Sequence, residues 1–157
     1  MPLVQASERN RELMRVALAE AQQSYAQGGV PVGALMVRDS SVIAAGHNRM
    51  RQTNDMTSHG ETDCIRNGGL LFDYSGVTLY TTLSPCMMCT GAMLFLGIPK
   101  IVIGERETFP GDVDFLVQRG VEVVLLDDPD CISLMRKFIA ENPEFWDQLT
   151  AGSRAEG

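Results

Sequence analysis

Basic residues are in short supply in this chain. It carries 13 Lys and Arg against 20 Asp and Glu, a formal charge of −7 over 157 residues. A protein that tracks a phosphate backbone usually shows a basic stripe, and none is visible here. The balance points away from nucleic acid and toward a small, uncharged partner. Long apolar runs are missing too: none approaches the ~18 residues that a membrane span needs, so no membrane contact is expected. The first ten residues lack a basic segment followed by an apolar stretch, the pattern of an export signal. Cysteine is sparse, with four in all. Two of them, Cys86 and Cys89, form a C-x-x-C with a histidine upstream and the other two stand alone, which argues against a disulfide framework and for a reduced, cytoplasmic setting. There is no internal repeat, linker or low-complexity tract. What remains, 45% hydrophobic and 21% charged residues, is ordinary globular composition, and the length suits one domain over 1–157 that buries roughly 70% of its unfolded surface.

The apolar periodicity predicts a helix from Glu8 to Ala26, with Ser7 as N-cap and Gly28-Gly29 as the stop. Gly33–Val37 and Val42–Gly46, joined by Arg38-Asp39-Ser40-Ser41, read as a β-hairpin. Residues 49–58 are polar and irregular and read as a loop. A helix is expected from about His59 to Arg66, ending at Asn67-Gly68-Gly69. Val77–Leu83 has strand composition. It leads through Ser84-Pro85 into a helix from Cys86 to Leu96, closed by Gly97. Lys100–Gly104 and Val121–Leu126 read as strands and Pro129–Ala140 as an amphipathic helix. A last short helix is expected from Asn142-Pro143 through Leu149, with 150–157 as a frayed tail. Strands interleaved with helices imply an α/β fold, a three-layer α/β/α sandwich around a mixed sheet of about five strands.

Two short strings carry the chemistry: His59-Gly60-Glu61 and Pro85-Cys86-Met87-Met88-Cys89. One histidine and two cysteines supply three ligands for Zn²⁺, and three protein ligands leave the fourth tetrahedral position open, the mark of a catalytic site. At i and i+3 in one helical turn, Cys86 and Cys89 project from the same side. The start of a helix favours thiolate over thiol. Zinc generates a nucleophile from water at neutral pH. Glu61, two residues past the histidine, is placed to move protons rather than to ligate. A purely structural zinc site would want a fourth Cys or His, and only Cys64 and His47 are candidates. Cys64 reads as a buried helix residue, and Cys131 as packing for the penultimate helix. Met87, Met88 and Met93 read as core packing. His47 divides evenly between a structural hydrogen bond and a pocket role.

The pattern H-x-E followed by P-C-x-x-C is the signature of zinc-dependent base deaminases, and the chain resembles the cytidine deaminase superfamily, most closely the fungal-type cytosine deaminases that act on the free base. The similarity runs from Gly28-Gly29-Val30-Pro31 to Trp146. It is densest from Leu79 to Cys86 and from Cys89 to Ala92. Gly46-His47-Asn48, Gly97-Ile98-Pro99 and Val102-Ile103-Gly104-Glu105 extend it, as does the glycine at position 60, where tRNA adenosine deaminases typically carry alanine. The resemblance implies that Asn48 and the backbone N–H of Gly60 bond the carbonyl edge of a pyrimidine. It implies that Phe109 and Trp146 wall the ring, that Val32 and Leu83 line the pocket, and that the enzyme is a homodimer. No organic cofactor is indicated.

The C-terminal segment departs from that pattern. Fungal-type enzymes carry an aspartate three residues after the pocket tryptophan, where it receives the substrate's amino group; here the position is Leu149. Asp147 lies nearby, but on a helix it points to another side. The expected activity is therefore hydrolytic deamination of a free aminopyrimidine, with cytosine first and isocytosine or another amino-heterocycle, purine or triazine-like, as the alternative. A tRNA adenosine deaminase and a non-catalytic zinc-stabilised module are the readings from other classes.

Overall fold

The computed structural model describes residue 3 and residues 5–154, and the expectation for the last residues of the tail lies outside them. Five strands form one sheet in the order β2-β1-β3-β4-β5. β1 (Gly33–Arg38) and β2 (Ser41–His47) are the expected hairpin, turned by Asp39 and Ser40 at positive φ, the backbone that a two-residue turn needs to match strand twist. β1 also pairs antiparallel with β3 (Val77–Leu83), whereas β3, β4 (Lys100–Glu105) and β5 (Glu122–Leu125) run parallel. The sheet is mixed, as expected.

Side chains alternate across the sheet and so build two cores. Ala34, Met36, Val77, Leu79, Ile101, Ile103 and Val123 face one layer, made by α3 (Gly60–Asn67), α4 (Met87–Leu96) and α5 (Val113–Gln118). Leu35, Val37, Tyr80, Val102 and Val124 face the other, where α1 (Glu8–Ala26) and α6 (Pro129–Glu141) pack. Ser7 caps α1, its hydroxyl accepting from Asn10 N–H at 3.1 Å. Helix α3 crosses β2 in close contact at Gly46, where a Cβ would stand 2.5 Å from the Cys64 nitrogen. Among the described residues no helix is long and apolar enough to cross a membrane.

Several expectations need correcting. The 49–58 loop contains one helical turn, α2 (Met50–Thr53), in which Met50 is buried and holds the segment against the body. Between β4 and β5 the expected helical material is α5, anchored by Val113 and Leu116. The last helix, α7, runs Pro143–Arg154 rather than stopping at Leu149. It continues because Thr150 and Ser153 bond back to the carbonyls of Trp146 and Thr150, both at 2.8 Å. Met93 is core, but Met87 and Met88 are 51% and 40% exposed: the buried row of α4 is Cys89, Thr90 and Met93, and the first turn's methionines fall off it.

Candidate active site

The end of β2, the start of α3 and the turn from β3 into α4 come together around one cavity. His59 is the N-cap of α3 and Cys86 the N-cap of α4, so both sit where unpaired helix N–H groups favour negative charge. His59 Nδ1 lies 3.5 Å from Cys86 Sγ and 3.6 Å from Cys89 Sγ. Ligand bonds of roughly 2.0–2.3 Å in a tetrahedron put nitrogen and sulfur about 3.5 Å apart. The donor set therefore fits zinc in chemistry and in spacing. Neither Cys64 nor His47 joins it. The hydrogen bond from the Cys89 thiol, helped by His59, brings the Cys86 thiol down to about 4. Cys64 is fully buried, which pushes its thiol up to about 12. Cys131 is buried in the α1/α6 core.

Glu61, 3% exposed, follows on the first turn of α3. Burial, with the Cys86 thiolate nearby, holds its carboxyl above the usual range. Thr81 donates to Glu61 Oε1 at 2.9 Å. The orientation of α3 is set from behind by Asp63. This buried carboxylate accepts from the His47 backbone N–H at 3.0 Å and from Arg49 Nε at 3.1 Å, which ties the glutamate-bearing helix to the strand end that carries Asn48. His47 has a structural role: its ring bonds Glu20 at 2.7 Å and Gln27 at 3.0 Å and does not line the cavity.

A cavity of about 140 Å³ opens onto the cluster. Its lining brings together Val32, Asn48, His59, Gly60, Glu61, Leu83, Cys86, Phe109, Trp146 and Leu149. Asn48 is held on every side. Its backbone carbonyl accepts from Ser24 Oγ at 2.7 Å and Gln52 Nε2 at 3.0 Å, and its Oδ1 accepts from Met50 N–H at 3.1 Å. With Oδ1 committed, the side chain offers the cavity its NH₂, a donor that calls for an acceptor on the ligand. Gly60 packs against Val32, where a Cβ would meet the Val32 carbonyl at 3.0 Å. Phe109 and Trp146 meet edge to face, centroids 6.3 Å apart.

Asp147 does not belong to this set. It is exposed and pairs with Arg154 at 2.9 Å, because one helical step after Trp146 turns the side chain outward, while Leu149 takes the cavity wall. Sequence reasoning also missed Val30, Met50, Ser84, Thr150 and Ser153 in the lining. The last two follow from the extra turn of α7.

The family model for the cytidine and deoxycytidylate deaminase zinc-binding region matches residues 7–105. A cytosine deaminase of Candida albicans is 44% identical over 138 residues, 86% of this chain and 92% of its own length. The chain belongs to the cytidine and deoxycytidylate deaminase family. The deaminase is a zinc enzyme that hydrolyses C–N bonds, with His59, Cys86 and Cys89 as the donor group that fits the ion. A solved structure from work on A-to-I editing by tRNA:A34 deaminases is 31% identical, with a TM-score of 0.67, over 79% of the deaminase and 99% of that chain. A guanine deaminase from Nitrosomonas europaea, 24% identical, shares the fold alone, at a TM-score of 0.69 over 88% of the deaminase and 87% of that chain.

Proposed function

We propose that the deaminase acts on a free aminopyrimidine base of the cytosine type, releasing ammonia and leaving uracil. One observation carries the reading. A carboxylate beside a zinc-fitting His-Cys-Cys cluster and an amide locked as a donor share one small, mostly apolar cavity. The 44% identity to a cytosine deaminase supports it.

His59, Cys86 and Cys89 would hold the zinc, which when bound supplies Lewis-acid activation of water at neutral pH. Asn48 donates to the base's carbonyl, and the Gly60 N–H donates beside it, which fixes the ring's register. Val32, Leu83, Phe109 and Trp146 exclude bulk water and pack on the ring faces. Glu61 takes a proton from the attacking water and passes it to the ring nitrogen next to the reacting carbon. It then takes the second proton from the hydroxyl now on that carbon and gives it to the amine, which leaves as ammonia while the carbonyl forms. Its raised carboxyl suits a group that must hold a proton between two transfers.

Ammonia release by zinc-replete protein with cytosine and isocytosine side by side tests the reading, with cytidine and guanine as controls. Faster release from either pyrimidine than from both controls is expected. Inertness toward both pyrimidines would sink the assignment. The acidic balance, 20 Asp and Glu against 13 Lys and Arg, weighs against a tRNA substrate.

The free state of all four cysteines supports a reduced, cytoplasmic setting. A second copy of the chain is the partner we assign to the apolar surface around α4. Phe95 is 90% exposed there, with Met87 and Met88 beside the site and Leu70 and Phe72, each 87% exposed, on the loop after α3. Large side chains so exposed mark an interaction surface. Light scattering at micromolar concentration should give twice the 17.2 kDa of one chain, and Phe95→Glu should halve that mass. A monomeric wild-type protein would contradict the assignment.

A further inference from the structure

We propose that Thr81 is a positioning residue for the reaction, a hydroxyl that engages one oxygen of Glu61 so that the other is the one offered to the base. The inference rests on the reading of Glu61 as proton carrier. Thr81 lies on β3, the middle strand of the sheet, and is completely buried. Val77 and Leu79, four and two residues before it, share its face and pack in the core beneath α3 and α4. The apolar row breaks at Thr81, and it breaks where Glu61 stands above the strand.

The hydroxyl oxygen is 2.9 Å from Glu61 Oε1 and 3.0 Å from the Leu83 carbonyl. It has a single hydrogen to give. A carboxylate competes for that hydrogen better than a neutral carbonyl, because charge-assisted bonds are roughly twice as strong. Oε1 is therefore the engaged oxygen and the weaker proton acceptor, and the proton travels on Oε2. The Leu83 carbonyl gives the same hydrogen a second acceptor, so the buried hydroxyl keeps a bond as the carboxyl moves through the cycle. Both acceptors belong to cavity-lining residues, and Thr81 thus orients the glutamate from behind without touching the base.

The test compares Thr81→Val, which keeps the shape and loses the hydroxyl, with Thr81→Ser, which keeps the hydroxyl. Both are assayed as zinc-loaded protein on whichever of cytosine and isocytosine the wild type turns over faster. T81V is expected to lose about 10- to 100-fold in kcat, the scale on which a misplaced catalytic group costs, with KM within about twofold. Zinc content and Tm should stay at wild-type values, and T81S should recover most of the loss. Wild-type kcat in T81V would overturn the inference. So would a T81S as slow as T81V, which would make the role one of packing, or a T81V slowed only in step with lost zinc. If T81V fails to fold, T81A against T81S makes the same comparison. Glu61→Gln run in parallel separates the two readings. An active E61Q overturns the role of Glu61, and an inactive E61Q beside a fully active T81V overturns only that of Thr81. In the E61Q background, T81V should bring no further loss.

Discussion

Glu61→Gln is expected to lower kcat for the preferred base by about 10²- to 10⁴-fold, the range for loss of a positioned proton carrier. The amide has the same shape, so Val32, Gly60 and Leu83 need not move, and KM should change little. It cannot take a proton from water or return one to the ring nitrogen and the leaving amine. Zinc content should be unaffected, since His59, Cys86 and Cys89 are untouched. Burial already holds the Glu61 carboxyl above its usual range. Gln keeps the volume of Glu and can still accept from the Thr81 hydroxyl, so Tm should change little. A less active yet no less stable protein is the signature of a group kept for chemistry. Steady-state kinetics with a zinc assay and a thermal melt checks all three parts. Ammonia release at the wild-type rate would remove Glu61 from the mechanism.

Much of this site was legible in the chain because zinc imposes local spacing. Cys86 and Cys89 must share one helical turn, and the glutamate must follow the histidine closely, so two short strings declare four residues. The strands were legible for a similar reason: β1, β3, β4 and β5 lie inside the sheet or are covered by helices, so β1, β4 and β5 carry apolar runs and β3 is rich in β-branched and aromatic residues. What escaped depends on contacts between distant segments. Thr81 looks like any strand threonine until α3 is laid across β3 and brings Glu61 within 2.9 Å. Its one local signal was the pair Thr81-Thr82 near the end of an interior strand, since a buried hydroxyl needs a partner. The donor polarity of Asn48 rests on the Met50 N–H, offered by a helical turn too short to show a period. The last turn of α7 carries small polar residues that read as a tail. They stay helical because their hydroxyls close onto the helix backbone and Arg154 pairs with Asp147.

Leu149→Asp is expected to shift the ratio of kcat/KM for cytosine to that for isocytosine by about 5- to 150-fold toward cytosine, the equivalent of about 1–3 kcal/mol for one hydrogen bond to a charged acceptor. Leu149 occupies the α7 wall of the cavity beside Trp146. In that place it offers neither acceptor nor donor to an amino group. The cavity hydroxyls of α7 are weaker substitutes: Thr150 and Ser153 give their hydrogens to the helix backbone and offer an amino group only neutral oxygens, and Thr150 Oγ1 already accepts from Arg154. Asp147, the carboxylate nearest in sequence, points into solvent at Arg154. An amino group directed at α7 therefore loses its water and gains no charged acceptor from that wall, and an aspartate at 149 would supply one. Isocytosine must turn so that C2 becomes the reacting carbon, presents a different edge to α7, and gains less. Leu149 is half-buried, so the new carboxylate keeps some hydration, and the variant should fold with a modest loss of Tm. Competition between the two bases for one enzyme sample measures the ratio directly. A ratio that stays put or moves toward isocytosine would mean that the amino group does not face α7, and that the base lies in the cavity in another register.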